Sequence, residues 1–129
     1  MQPQTPAPVP PPSTSRALEH PARDAIRLED VLHALSDPMR LRVVRTLAGE
    51  ARELACSDIE LPVSKSTTTH HFRVLRECGV INQIYRGTAK MNALRRDDLD
   101  ALFPGLLDSV LLAADRQGLV PGGLADDRR

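Results

Sequence analysis

The spacing of apolar residues near the start of the chain predicts two consecutive helices. Between residues 24 and 35, apolar residues recur at steps of three and four, which is the period of one helix face. The sequence Ser36-Asp37-Pro38 ends this helix and begins the next, because Asp is a good N-cap and Pro suits the first helical position. We expect the second helix to run from about Pro38 to Ala48 and to stop at Gly49.

The segment that follows predicts a helix-turn-helix. Ser57 and Glu60 have the spacing of a capping box and favour a short third helix, which must end before Pro62. Ser64 is suited to cap a fourth helix that runs up to Gly79, a residue that favours the left-handed terminating conformation. Two helices joined by a tight turn form a helix-turn-helix, in which the second helix is the candidate recognition helix.

The apolar period shortens after Gly79 and predicts a β-hairpin. Residues 80–85 are rich in β-branched side chains, Arg86-Gly87 suits a turn, and residues 88–94 form a second extended stretch. Apolar residues then recur at helical spacing in a last helix, which Pro104 should kink or divide. The apolar face of this helix exceeds what a small core needs, so we expect a second copy to cover it. The predicted fold is mainly α with a small β-hairpin, a dimeric winged helix-turn-helix.

Composition adds two tails to this domain. The length of 129 residues favours one domain, and seven of the 11 prolines lie within the first 21 residues, where large apolar side chains are scarce. We expect a disordered Pro-rich tail over residues 1–22, the winged-helix domain over 23–115 and a flexible tail over 116–129. The chain has no signal-peptide pattern and no apolar run long enough to span a membrane, so we expect a soluble, cytoplasmic protein.

Charge is unevenly distributed along the chain, although its net value is zero. Basic residues outnumber acidic ones by four between residues 65 and 90, whereas acidic residues outnumber basic ones by four between residues 97 and 129. The first region is therefore suited to face phosphate groups while the second stays away from them.

The fourth helix has one apolar and one polar face. A helical projection places a set of packing residues on one side: Thr68, His71, Phe72 and Leu75. The other side is polar, and hydroxyl and basic side chains there and on the hairpin are suited to reach base edges and phosphates. We expect DNA contacts from Lys65, Ser66, Thr67, Thr69, His70, Arg73, Arg86 and Lys90. A merely solvated polar face is the alternative.

Three segments resemble the arsenic-repressor (ArsR) family of bacterial winged-helix regulators. They are LHALSDPMRLRVVRTL at 32–47, SKSTTTHHFRVLRECGVI at 64–81, and the hairpin with Arg86-Gly87, and the resemblance covers roughly residues 24–112. It implies a dimer formed by the first and last helices, whose helices at 64–78 enter the half-sites of an imperfect palindrome in a promoter. The interface would then include Leu28, Val31, Leu99, Leu102, Phe103, Leu106, Leu107 and Val110.

Metal and cofactor sites are not predicted. The family's metal sensors have a Cys-x-Cys motif in the third helix, where this chain has Cys56 alone, and the last helix has no histidine for the family's second type of metal site. Cys56 and Cys78 flank the helix-turn-helix, so small apolar packing and a thiol or metal switch both stay open. His70 and His71 diverge by about 100° around the helix, which favours DNA contact or packing over a shared ion. His20, in or beside the tail, is expected to be exposed to solvent.

The sequence predicts a regulator and not an enzyme. No nucleophile lies at a recognisable spacing from a base, and no Gly-rich phosphate loop is present. We expect a sequence-specific repressor that binds double-stranded DNA as a homodimer and responds to an unknown inducer. The alternatives are a winged-helix module that binds a protein instead of DNA, and a repressor that responds to thiol chemistry or metal through Cys56 and Cys78.

Overall fold

The computed structural model describes residues 16–50 and 52–119. In chain order the elements are β1 (Arg16–Ala17), α1 (Leu28–Leu35), α2 (Pro38–Ala48), β2 (Leu54–Ala55), α3 (Lys65–Glu77), β3 (Ile81–Arg86), β4 (Ala89–Leu94), α4 (Arg96–Leu102) and α5 (Leu106–Leu119). Single 3-10 turns occur at Arg23–Ala25 and Cys56–Asp58. This order confirms the winged helix-turn-helix, and no helix in the described part is long and apolar enough to cross a membrane.

Side-chain caps fix the two helices that were predicted best. The Asp37 carboxylate accepts hydrogen bonds from the backbone N–H groups of Met39 at 2.8 Å and Arg40 at 3.1 Å, and α2 has the predicted bounds. The Ser64 hydroxyl accepts from the Thr67 N–H at 3.2 Å and begins α3. Each such cap stabilises a helix by about 1 kcal/mol, because it satisfies amide donors that have no partner within the helix.

The first and third predicted helices differ from the structure. The first begins only at Leu28, because the chain makes a 3-10 turn at Arg23–Ala25 before it. The third is a single 3-10 turn, and its capping carboxylate belongs to Asp58, which accepts from the Ala55 N–H at 3.0 Å. The capping box expected from Ser57 and Glu60 was therefore wrong, since pairing of β2 with β4 leaves few residues before Pro62 for a longer helix.

The wing is a four-stranded antiparallel sheet in the order β1-β3-β4-β2. Strands β3 and β4 form the predicted hairpin, in register from Ile81 opposite Leu94 to Arg86 opposite Ala89. The turn between them has Gly87 at φ 64°, a conformation that glycine adopts without a Cβ penalty. Strand β1 lies against β3 and β2 against β4, so each edge of the hairpin is extended by two residues that the sequence did not predict.

The core lies between the helices and the inner face of this sheet. Its fully buried apolar side chains come from α1 to α5 and from the start of β3; the largest are Leu75, Ile81, Leu99, Leu107, Val31, Val43, Val44 and Val80. Gly79, with φ at 85°, allows the turn from α3 into the sheet. A Cβ at Gly79 would lie 2.6 Å from the Ile26 side chain, so space as well as conformation requires a glycine there.

The chain after the wing is divided as predicted. α4 ends at Leu102 and α5 begins at Leu106, with Pro104 and Gly105 between them. Three residues assigned to the dimer interface, Val31, Leu99 and Leu107, are at most 2% exposed and pack within their own subunit, which corrects that assignment.

The predicted tail boundaries also differ from the structure. Residues 16–22 lie against the wing instead of forming the end of a disordered tail, and α5 continues past residue 115 to Leu119. Both tail predictions otherwise concern residues 1–15 and 120–129, which lie outside the described residues.

Candidate nucleic-acid interface

Helix α3 presents one polar face to solvent. Ser66, Thr69, His70 and Arg73 are exposed, whereas His71, Phe72 and Leu75 are buried against the rest of the domain. The two faces predicted for this helix are therefore confirmed. The first turns of this face, from Lys65 to Arg73, have no carboxylate, so no acidic group there repels an approaching phosphate. The exposed Glu77 lies on the same face only at the C-terminal end of the helix, one turn after Arg73.

Hydroxyl groups cluster at the start of α3. The Ser64 hydroxyl lies 2.9 Å from the Thr67 hydroxyl and 3.3 Å from that of Ser66, and Lys65 is exposed beside them. The first amides of a helix point outward and have a partial positive charge. The start of α3 thus combines hydroxyls, one lysine and amide donors, all of which suit contacts with phosphate oxygens.

Arg73 and His70 are held together on the exposed face. An Arg73 guanidinium nitrogen lies 3.2 Å from the His70 Nδ1, one turn earlier on the helix. The guanidinium can only donate, so Nδ1 accepts and the proton of a neutral ring is on Nε2. Both side chains then offer donors away from the protein, as the acceptor-rich edge of guanine requires.

The buried face of α3 is joined to α1 and α2 through one arginine. Arg40 of α2 is 7% exposed; its Nε donates to the Ala34 carbonyl at 2.8 Å and another nitrogen donates to the His33 carbonyl at 3.1 Å. A third nitrogen lies 3.3 Å from Nδ1 of His71 on α3. The sequence predicted a packed His71 but not its buried cationic partner.

Asp37 completes this junction. His71 Nε2 lies 3.8 Å from the Asp37 carboxylate, which also caps α2. Desolvation opposes ionisation of Asp37, but the amide hydrogen bonds from Arg40 and Met39, together with the positive charge nearby, outweigh it and lower the pKa of the carboxyl below its usual value. A negative Asp37 therefore caps the start of α2 and lies beside His71 of α3, beyond hydrogen-bond distance.

A buried polar chain fixes the wing against the other end of α3. Arg76 donates to the Gln83 side-chain oxygen at 2.6 Å, and the Gln83 amide donates to the Asn92 oxygen at 2.8 Å. Asn92 then donates to the Leu54 carbonyl at 3.1 Å. Gln83 and Asn92 are fully buried. The sequence signal for these hydrogen bonds was a polar residue at a core-facing position of each strand. Arg76 takes part in them instead of facing phosphate.

A groove lies between α3 and the wing. It has a volume of about 410 Å³ and is lined by Lys65, Thr68 and Thr69 from the helix side and by Thr88 and Lys90 from the wing side, among others. Two of the predicted DNA-contacting residues, Lys65 and Lys90, therefore lie at opposite walls of one groove.

Arg86 is not brought together with these lysines. Its guanidinium makes two hydrogen bonds to the Glu53 carboxylate, at 2.7 and 2.9 Å. The hydrogen bond from Arg86 lowers the pKa of Glu53, which stays charged. Arg86 also lies on the sheet face opposite to Lys90, since Lys90 pairs with Tyr85, the neighbour of Arg86 in β3. A DNA contact by Arg86 stays a prediction, and it would have to compete with the ion pair to Glu53.

The two cysteines are separate thiols with different surroundings. The Cys56 sulfur accepts a hydrogen bond from Asn92 at 3.2 Å, at the end of the buried polar chain. Burial, with the negative charge of Asp30, raises the pKa of Cys78, which keeps this thiol protonated at neutral pH. Both are free and half-buried, and the described residues hold no group of three or more His, Cys, Asp or Glu side chains placed to bind a metal ion.

Comparisons with known proteins agree with this geometry. The model of the family described as "Bacterial regulatory protein, arsR family" matches residues 37–83, from the cap of α2 into β3. The HTH-type transcriptional regulator YceK of Bacillus subtilis (strain 168), itself uncharacterised, is 34% identical over 89 residues, which span 67% of this chain and 88% of YceK.

Two crystal structures are also similar. An ArsR family transcriptional regulator superposes with a TM-score of 0.53 at 21% identity, over 69% of this chain and 92% of its own. The transcriptional repressor BigR from Xylella fastidiosa superposes with a TM-score of 0.48 at 24% identity, over 59% of this chain and 85% of the BigR chain. From the family match and the relationship to YceK, with the winged helix-turn-helix fold, this chain belongs to the arsR family of bacterial regulatory proteins and is a DNA-binding transcriptional regulator.

Proposed function

We propose that this regulator is a repressor that binds an imperfect palindrome as a homodimer, with α3 of each subunit in the major groove of one half-site. The observation that supports this most is the exposed face of α3, whose polar side chains project from a helix held on its other side by Arg40 and Phe72. A recognition helix must be rigid to place its side chains against base edges, and these contacts supply that rigidity.

The residues of this face divide into two roles. Arg73 and His70 lie mid-helix, where side chains reach base edges, and we assign them to sequence recognition. Lys65, Ser66 and Thr67 lie at the start of α3 and Lys90 across the groove, where we assign them to phosphates. Thr69 lies between the two groups and faces the groove. Phosphate contacts set the register of the helix, and base contacts select the sequence.

The proposed dimer uses α1 and α5. Apolar side chains that the subunit leaves exposed include Leu28 and Leu32, one turn apart on α1, and Leu112 on α5, at 43, 46 and 56% exposure. Half-buried neighbours extend this surface: Leu102, Phe103, Leu106, Val110 and Leu111. An apolar surface of this kind favours a self-complementary contact between two copies.

We further propose that the protein acts in the cytoplasm by binding and not by catalysis, and that an inducer relieves repression. Repression would follow from occupancy of a promoter. The inducer would act by lowering the population of the DNA-binding arrangement.

The direct test compares the chain's own promoter duplex with a random duplex by fluorescence anisotropy at several salt concentrations. We expect tighter binding to the promoter and a steep fall in affinity as salt rises, because released counterions favour association. Arg73→Ala should weaken promoter binding by about 1–3 kcal/mol, or roughly 5- to 150-fold, and reduce the preference for the promoter.

Arg52→Ala is the matched control, since Arg52 is an exposed arginine between α2 and β2 whose nearest carboxylate is 4.0 Å away on Glu50. It should leave both affinity and preference unchanged. Equal affinity for the promoter and the random duplex would contradict sequence-specific recognition. An absence of binding to any duplex would instead favour a protein-interaction module.

A further inference from the structure

The segment before α1 forms a third strand on the free edge of the β3–β4 hairpin. Arg16 lies opposite Tyr85 and Ala17 opposite Ile84, in antiparallel register. The Leu18 N–H then donates to the Gln83 carbonyl at 3.2 Å. These residues lie outside the part of the chain that matches the family model, which begins at residue 37.

Two further contacts hold this segment after the strand ends. The His20 Nε2 accepts a hydrogen bond from the Gln83 N–H at 2.8 Å, so an imidazole replaces the carbonyl that a longer strand would supply. The Pro21 carbonyl accepts from Arg95, whose side chain is almost fully buried, at 2.8 Å. His20 is therefore docked on the wing and not exposed as its position beside the tail suggested, and the position of Arg16 is determined by the sheet.

Arg16 joins a row of side chains across the wing. Opposite residues of antiparallel strands project from the same face of a sheet. Arg16 pairs with Tyr85, and Tyr85 pairs with Lys90. The Arg16 guanidinium carbon lies 5.0 Å from the centre of the Tyr85 ring, and the Lys90 ammonium 5.7 Å from the same centre. Two cations therefore share one aromatic ring.

This row faces α3. Gln83 precedes Tyr85 by two residues and so projects from the same sheet face, where it bonds to Arg76 of α3. Lys90, in the row, also lines the groove whose other wall contains Lys65. Lys65, Lys90 and Arg16 thus mark a basic strip that runs from the start of α3 to the outer strand of the wing.

The charges of this strip are left for an outside anion. Within residues 16–50 and 52–119, neither Arg16 nor Lys90 forms an ion pair with a carboxylate, whereas Arg86, on the other face, is bound by Glu53. Two cations beside one ring repel each other, and a shared anion would relieve that repulsion. A phosphodiester suits this position, because it is the anion next to a helix lying in the major groove.

We propose that Arg16, placed by strand β1, contacts the DNA backbone together with Lys90 and extends the DNA-binding surface beyond the hairpin. This inference rests on the proposed DNA binding, and the contact is to phosphate and not to bases. Three strands of the wing then take part in DNA binding, and the third of them, β1, precedes α1 in the sequence.

The test measures the slope of log affinity against log salt for Arg16→Gln, a substitution that keeps a long side chain and removes its charge. Each phosphate contact contributes about 0.9 to that slope, so a dimer should lose about 1.8. Affinity should fall several-fold, and by the same factor on promoter and random duplex, because a phosphate contact has no sequence information. Arg16→Lys should restore most of the slope.

His20→Ala is the second variant, since it keeps the Arg16 charge and removes the anchor of the strand. It should lower the slope as Arg16→Gln does, while Arg52→Ala leaves it unchanged. A wild-type slope for Arg16→Gln would overturn this inference and leave the proposed function intact. A loss of affinity for the promoter but not for the random duplex would also overturn it, because that result would mean that Arg16 contacts a base. A wild-type chain that binds no duplex would overturn both proposals.

Discussion

Arg40 stabilises the end of one helix and the side of another. The last carbonyls of a helix have no partner within it, and they favour a nearby cation. Arg40 donates to two of them, from His33 and Ala34, while it also bonds to His71. A guanidinium has enough donors in one plane to serve three acceptors, which a lysine at this position does not.

His20 makes the stability of the wing depend on pH. Burial lowers the pKa of His20; a hydrogen bond with the Leu18 backbone opposes this, and the charges of Arg95 and Arg76 add to the lowering. Glu19 and Glu77 line the same surface pocket as His20. Because the folded pKa lies below the ordinary value of 6.5, the folded state prefers neutral His20.

We therefore expect the contribution of His20 to the free energy of unfolding to be complete above pH 6.5 and to be lost as pH falls through the folded pKa. A protonated Nε2 cannot accept the Gln83 N–H. Urea unfolding of the wild type and of His20→Gln, which keeps an acceptor without titrating, measures the effect. Relative to His20→Gln, the wild type should lose free energy of unfolding between pH 7.5 and pH 5. A difference in free energy of unfolding that stays constant over this range would contradict the prediction.

Elements were predicted well where their determinants are local. The bounds of α2 and the start of α3 follow from caps whose partners are two or three residues away, and the faces of α3 follow from the helical period. Strands β1 and β2 were missed because their partners lie far along the chain, in β3 and β4. The ion pair of Arg86 was missed for the same reason, since Glu53 is 33 positions away.

The junction of the wing with α3 depends on the buried chain through Gln83. Gln83→Leu removes the acceptor of Arg76 and the donor to Asn92, and leaves both polar groups buried without these partners. We expect a loss of about 1–3 kcal/mol in the free energy of unfolding, measured with urea. Asn82→Leu, on the exposed face of the same strand, should change it by less than about 0.5 kcal/mol. Equal stability of the two variants would show that the buried hydrogen bonds through Gln83 are dispensable.

The molecule as a whole separates its surfaces by chemistry. The proposed DNA-facing strip is basic and polar, whereas the exposed apolar residues of the proposed dimer surface lie on α1 and α5. α5 is fixed to α2 by Arg45, which bonds twice to Asp115 at 3.2 and 3.0 Å. The sequence predicted a dimer surface on the first and last helices, and it assigned to that surface three residues that are buried in the core. The 3.6-residue period does not distinguish packing within a subunit from packing between subunits.

Leu112→Glu tests the dimer. An exposed Leu112 tolerates a carboxylate in the isolated subunit, but an unpaired charge buried between two copies costs several kcal/mol. We expect a dimeric wild type and a monomeric variant by light scattering, with weaker promoter binding by the variant. Val63→Glu, at an apolar residue that is 38% exposed and outside α1 and α5, should remain dimeric. A dimeric Leu112→Glu would place the interface elsewhere.

The short strand at the start of the chain also protects the sheet from unwanted association. An open strand edge has unpaired amides and carbonyls that can template pairing with another molecule. Here the outermost strands, β1 and β2, have two residues each, too few for stable sheet extension. A chain shortened to begin at residue 23 would uncover residues 83–85 of β3, which pair with the segment before α1. Aggregation of such a shortened chain would therefore reflect an opened sheet edge and not a failure of the helical core to fold.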